Sequence, residues 1–268
     1  MGVYVSALRV PKRGSTLAEC EDASSVFPDA GSDVWLTDPV SVALSDGASE
    51  SLLAGEWASL LAESVVGALR DDGRALRDRR VFADVLVDAG KAWRGWVREY
   101  VANRRATGRP IMWYEQPKLD RGPYATLLAA RFEPVADAIA WRAAALGDTC
   151  LFQTRGGRLL HAFPLESHRE FTSSPGLVNG YNQDRALVAR HVRTMSGRAE
   201  EGDQFFLCTD ALAAWFLAET ERGGQPWNAL CDFTRSGAVD EFEAWLDDRR
   251  SAGSMANDDV TVVHVDLG

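Results

Sequence analysis

The chain is 268 residues long with 46% hydrophobic residues, enough for one large domain with a sizeable core. Its formal net charge of −10, with no dominant basic stripe, argues against nucleic acid as a main partner. No stretch approaches the apolar length of a membrane span, and the start MGVYVSALRVPKRGS does not read as a signal peptide. Cys20, Cys150, Cys208 and Cys231 are widely separated with no CxxC spacing, which argues against a zinc knuckle and a disulfide framework; a cytoplasmic protein with no membrane partner is expected.

Residues 3–9 (VYVSALR) are expected to form an edge strand. VWLT at 34–37 and VSVALS at 40–45, separated by Asp38-Pro39, are expected as a hairpin. From Glu50 the period becomes helical, with Leu52, Leu53, Trp57, Leu60, Leu61, Val65 and Leu69 at three- and four-residue steps. A second helix is expected over 81–104, its stripe made of Val81, Leu86, Trp93, Trp96, Val97 and Tyr100. Tryptophan at this spacing points to core. The polar segment 105–122, with Gly108, Pro110, Pro117 and Gly122, is expected as a loop. Strands are then expected at 125–132, 138–146, 150–155 and 158–164, with Gly156-Gly157 as a two-residue hairpin signal between the last two. The polar stretch 165–200 is long for a structureless connection, so it is functional or partly helical. A strand at 204–209, helical patterns at 211–220, 225–233 and 238–250, and a strand at 260–267 complete the chain. Hairpin spacing and strands at both ends, interrupted by two long helices, indicate one α+β layered domain over 1–268, not a doubly wound parallel sheet.

Five places put an acidic residue at the edge of an apolar strand: Glu21-Asp22, Asp46, Asp148, Asp210 and Asp258-Asp259. Any one alone is an ordinary turn, because Asp bonds nearby backbone amides. Five in one chain suggest that layered antiparallel strands bring carboxylates together. At 4 Å and an effective dielectric near 20, each like-charged pair would cost about 4 kcal/mol, and a bound divalent cation is the usual remedy. An all-oxygen set suits Mg²⁺ or Mn²⁺, and His161, His168, His191 and His264 lack the spacing of a zinc ligand pair.

The ordered set ECEDA, VALSDGAS before a long helix, ATLL, ALGDTCLF, RGGRLL, GDQFFLCTDAL and NDDVTVVHV resembles the metal-dependent type 2C (PPM) serine/threonine protein phosphatases. The resemblance runs from about residue 3 to 266. It implies a four-layer α-β-β-α sandwich, two antiparallel β-sheets flanked by helices. It also implies two Mn²⁺ or Mg²⁺ ions, and a third in many members. Asp46 would bridge two ions and Gly47 would offer its carbonyl. Glu21 and Asp22 match the acidic pair near the metals, Glu21 acting through a water. Asp210 and Asp258 match the later ligands, and Asp148 with Asp210 matches the third-ion site. Asp46 and Asp210 would thereby be catalytic, through the water that the ions activate. Residues 165–200 occupy the position of the variable flap.

Three departures stand out. Leu17 sits where the family carries a phosphate-binding Arg, leaving Lys12 or Arg13 as substitutes from the same loop. Thr209-Asp210-Ala211 lacks the usual glycine, and Ala48 stands where some members place a His. The expected activity is hydrolysis of phosphoserine or phosphothreonine on a protein, opposite a partner kinase, by in-line attack of an activated water. No GxSxG, nucleophilic Cys loop or P-loop offers another route. The alternatives are a catalytically weak or inactive sensor or docking module of the same fold, and a small-metabolite phosphatase.

Overall fold

A computed structural model describes residues 2–28, 38–71, 73–135 and 138–268. In chain order the elements are β1 (Val3–Val10), β2 (Asp22–Phe27), β3 (Val40–Asp46), α1 (Ala54–Asp71) and α2 (Arg79–Ala106). A short α3 (Gln116–Arg121) leads into β4 (Tyr124–Ala125), β5 (Leu127–Val135), β6 (Ala138–Leu146), β7 (Cys150–Arg155) and β8 (Arg158–Phe163). Next come β9 (Val178–Asn179), α4 (Arg185–His191), β10 (Arg193–Ala199) and β11 (Gln204–Cys208). Helices α5 (Asp210–Glu221), α6 (Pro226–Ser236) and α7 (Val239–Ser251) precede β12 (Val260–Leu267).

Among the described residues two five-stranded antiparallel sheets form, ordered β1-β12-β11-β7-β8 and β10-β6-β5-β3-β2, together with a short antiparallel β4-β9 pair. Side-chain alternation sorts their residues into three apolar layers. Val40, Val42 and Leu44 of β3 meet Phe205, Leu207, Val263 and Val265 between the sheets. The opposite face of the second sheet, with Ala43, Leu127 and Ala129, packs under Trp57 and Leu61 of α1 and Phe82 and Trp93 of α2. The outer face of the first sheet, with Phe152, Phe206 and Val262, lies under Leu212 and Phe216 of α5, Leu230 of α6 and Phe242 of α7. Phe152 and Phe216 stack with ring centroids 4.1 Å apart. Sheets covered on both faces explain why the strands read as nearly unbroken apolar runs. The result is the expected α-β-β-α sandwich.

Several local expectations hold. β1 is a sheet edge, and Gly156 and Gly157 adopt φ values of 54° and 74°, as a tight β7–β8 hairpin requires. No helix among the described residues is long and apolar enough to cross a membrane.

Others change. Residues 34–37, expected as one arm of a hairpin, lie outside the described residues, and β3 pairs with β2 and β5. The segment expected as a loop at 105–122 contains α3, which buries only Leu119. The polar stretch 165–200 contains α4 and ends in β10, an edge strand paired with β6. β10 escapes the apolar pattern because its sequence, RTMSGRA, is largely solvent-facing. At Gly197 an added Cβ would lie 2.7 Å from the Trp141 indole, so the close approach needs glycine.

Candidate metal centre

The register of β2 on β3 sets Asp22 opposite Asp46, where the second sheet meets the loops above it. Asp46 is held by its backbone: its carbonyl accepts from the Thr126 amide at 2.8 Å and its amide donates to Thr126 Oγ1 at 3.3 Å. The Gly47 amide donates to the Glu21 carbonyl at 3.2 Å. An added Cβ at Gly47 would lie 2.8 Å from the carbonyl oxygens of both Ala54 and Glu21, so glycine alone fits this crossing. Asp148 lies in the β6–β7 turn, where Gly147 takes a φ of 119°. Asp210 is the first residue of α5, and Asp258 and Asp259 immediately precede β12.

Asp46, Gly47, Asp148, Asp210 and Asp258 line one cleft of about 630 Å³, with Ser173, Ser174 and Pro175 on another wall. Asp22 lies behind it, 1% exposed. Thr209 Oγ1 donates to Asp22 Oδ2 at 3.0 Å. Glu21 lines a neighbouring cleft and reaches toward the first one through Ser49, whose hydroxyl donates to its carboxylate. Lys12 Nζ joins this group, 3.3 Å from Glu21 Oε2 and 2.9 Å from Ser49 Oγ. Arg13 is turned away, bound to the Asp247 carbonyl and Ser251 Oγ on α7. Leu17 is 53% exposed on the neighbouring cleft.

Sequence reasoning missed the scaffold around these acids. Asp259 accepts from the Lys12 amide at 2.7 Å and from the Glu21 amide at 2.9 Å, fastening the β1–β2 loop to the start of β12. Thr209 and Thr126 bond the carboxylate and backbone of the Asp22–Asp46 pair. A threonine before a helical aspartate is an N-cap signal that could have marked Thr209. Nothing in the sequence flagged Lys118 and Arg121 of α3, which also line the cleft.

Burial raises Asp22, Asp46, Asp148 and Asp210, and repulsion from neighbouring carboxylates adds to it at Asp22, Asp46 and Asp210. Asp22 is pushed up to about 8 by burial and the nearby Asp259 charge, against hydrogen bonds from Thr261 and Thr209. Asp46 is raised well above the usual carboxylate range by burial and then by Asp22 and Asp210. Asp210 rises to about 7 through burial and Asp148, and Asp148 to about 6 through burial. At Lys12 burial acts downward, but Asp259 and Glu21 outweigh it and hold the ammonium protonated.

Among the described residues no three His, Cys, Asp or Glu side chains close into a ready metal cage. The acids instead ring an open cleft. Their chemistry fits hard divalent cations: the acids offer oxygen donors, Gly47 lines the same cleft without a side chain, and among the described residues no lysine or arginine is ion-paired to Asp46, Asp148, Asp210 or Asp258.

No family model and no curated protein sequence matches the chain. Solved structures do. A serine/threonine phosphatase from S. agalactiae is similar at 13% identity and a TM-score of 0.56, over 99% of this chain and 100% of that one. The catalytic domain of the serine/threonine protein phosphatase PstP, in complex with two manganese ions, is similar at 16% identity and 0.53, over 100% and 99%. RsbX in complex with magnesium is similar at 14% identity and 0.53, over 100% and 96%. The chain has the fold of these proteins, that of the PPM-type serine/threonine phosphatases, as the ordered acidic motifs indicated.

Proposed function

We propose that the protein is a Mn²⁺- or Mg²⁺-dependent phosphatase that hydrolyses phosphoserine or phosphothreonine on a cytoplasmic protein, opposite a kinase. The observation that carries this reading is the group Asp46, Asp148, Asp210 and Asp258. Four carboxylates line one cleft, Asp148 raised by burial and Asp46 and Asp210 by burial and repulsion, and among the described residues no lysine or arginine is ion-paired to them. A fold with no use for cations at that place would have little reason to keep so repulsive a group. Manganese in PstP and magnesium in RsbX, on the same fold, support the choice of ion.

Asp46, the Gly47 carbonyl, Asp210 and Asp258 would hold two ions, with Asp148 and Asp210 available to a third. When bound, such ions acidify a water and neutralise the phosphoryl oxygens. The chain's own part is positional. Thr126 fixes the backbone of Asp46 through two hydrogen bonds, and Thr209 orients the carboxyl of Asp22 behind it. Glu21, tethered by Lys12 and Ser49, flanks the cleft where it can order solvent. Ala48 has no proton to give, so the leaving oxygen must take its proton from solvent.

Hydrolysis of p-nitrophenyl phosphate with Mn²⁺, with Mg²⁺ and with chelator tests this reading, for wild type and Asp46→Asn. Turnover that needs the metal and is lost in the variant is expected. Turnover indifferent to chelator would sink the proposal. No turnover, with Mn²⁺ still raising the melting temperature, would favour a docking module. A phosphopeptide panel separates protein from metabolite substrates.

A further inference from the structure

The floor of the cleft is acidic, yet its substrate is a dianion. Metal ions can offset the floor, but the phosphoryl oxygens that face outward still need donors, and Leu17 supplies none. Among the described residues, the lysine and arginine side chains that line this cleft are Lys118 and Arg121 of α3. Both are exposed, and neither side chain has a hydrogen-bonding or ion-pair partner among the described residues. The other candidates are committed: Lys12 to Glu21 and Ser49, and Arg13 to α7.

Basic residues in the last turn of a helix are common because they suit its dipole, and exposed ones are usually just solvated. α3 is more than that, because it is built into place. Arg104 grips Glu115 with two bonds of 3.1 Å, and Glu115 accepts from the Met112 amide at 2.7 Å, which pins the segment entering the helix. At the other end, Asn179 Nδ2 donates to the Arg121 carbonyl at 3.0 Å. Gly122 then turns with a φ of 78°, against the Tyr181 ring. Two residues later the Tyr124 carbonyl accepts from the Ala48 amide at 2.9 Å, and Ala125 bridges to Gly47. The helix that carries the two free cations is thus fastened at both ends, and one end is tied to the Asp46–Gly47 loop.

We infer that Lys118 and Arg121 form the phosphate grip of this cleft, binding the outward oxygens of a phosphate monoester held over the carboxylates. The inference rests on the phosphatase reading. An arginine can present two parallel donors to a phosphoryl group while the lysine adds a point charge.

The test compares wild type, Lys118→Ala/Arg121→Ala and the charge-keeping Arg121→Lys, each with excess Mn²⁺. Two quantities are read: KM and kcat for p-nitrophenyl phosphate, and calorimetric binding of inorganic phosphate. The double alanine variant should weaken phosphate binding and raise KM by about ten-fold, with a smaller change in kcat, and Arg121→Lys should recover part of the loss. Unchanged KM and phosphate affinity in a wild-type enzyme that does turn over would overturn the grip and leave the phosphatase standing. A KM that rises for an acidic phosphopeptide but not for p-nitrophenyl phosphate would also overturn it, placing the pair on the peptide instead. If wild type binds phosphate through these residues yet hydrolyses nothing, the grip stands and the phosphatase falls.

Discussion

The floor and the rim of the cleft are built on opposite principles. Asp46, Asp148, Asp210 and Asp258 sit at the ends of core strands or the start of a core helix, where the apolar layers fix the backbone. Lys118 and Arg121 ride on a six-residue helix that buries one leucine and is held by polar ties. The floor is set in the core and gathers like charge. The rim is fastened by polar ties, buries little and carries free charge. The proposed activity, holding ions and releasing a product, would gain from that division, since core-anchored groups keep their geometry while surface elements can yield.

The largest effect should separate the two regions cleanly. Asp46→Asn should lower kcat/KM by on the order of a thousand-fold, far beyond the rim variants, measured on p-nitrophenyl phosphate in saturating Mn²⁺. A loss no larger than that of the rim would erase the distinction. Next, Phe216→Ala removes the ring stacked on Phe152 beneath α5, the helix that starts at Asp210. It should cost about 3–5 kcal/mol in denaturant unfolding, because the surrounding layer cannot collapse onto the gap.

The floor should also show itself without metal. Its acids carry raised values in the folded protein, Asp148 near 6, Asp210 near 7 and Asp22 near 8, against an ordinary value of 3.8. The folded state therefore binds protons that the unfolded chain has already released. That contribution is complete below the ordinary value and is lost as pH rises through the folded ones. In chelator the melting temperature should fall between about pH 5 and pH 8, and Mn²⁺ should restore it most at the alkaline end. A metal-free melting temperature that climbs over this interval would contradict the account. The smallest effect belongs to the rim's anchor. Glu115→Ala should raise KM a few-fold through a loosened α3 while scarcely moving the melting temperature in a thermal scan, since α3 buries only Leu119.

How much of this was legible in the sequence varied with burial. The long helices, the β5–β8 run and the glycine hairpin could be read because apolar periodicity and turn chemistry are local. β10 and α3 could not, since each owes its place to a neighbour: β10 to the ladder on β6, and α3 to Arg104 and Asn179. Leu17 could be seen to break the pattern of a phosphate-binding arginine. What stands in its place could not.

By itself the sequence determined most of the helical and strand core, though Val81 of the expected stripe and Leu160 of β8 are exposed, that the strands pair antiparallel under helices, and that acids fall at the strand ends. These follow from side-chain period and turn preference along a few neighbouring residues. Only the tertiary structure decided which acids share a cleft. It set Asp22 behind Asp46, gave Asp259 to the loop amides, turned Arg13 away to α7 and brought Lys118 and Arg121 to the rim. The reason is physical: a carboxylate or a cation at a chain position carries no local signal of what it will face. Its partner, often more than a hundred residues away, is chosen by how the layers close.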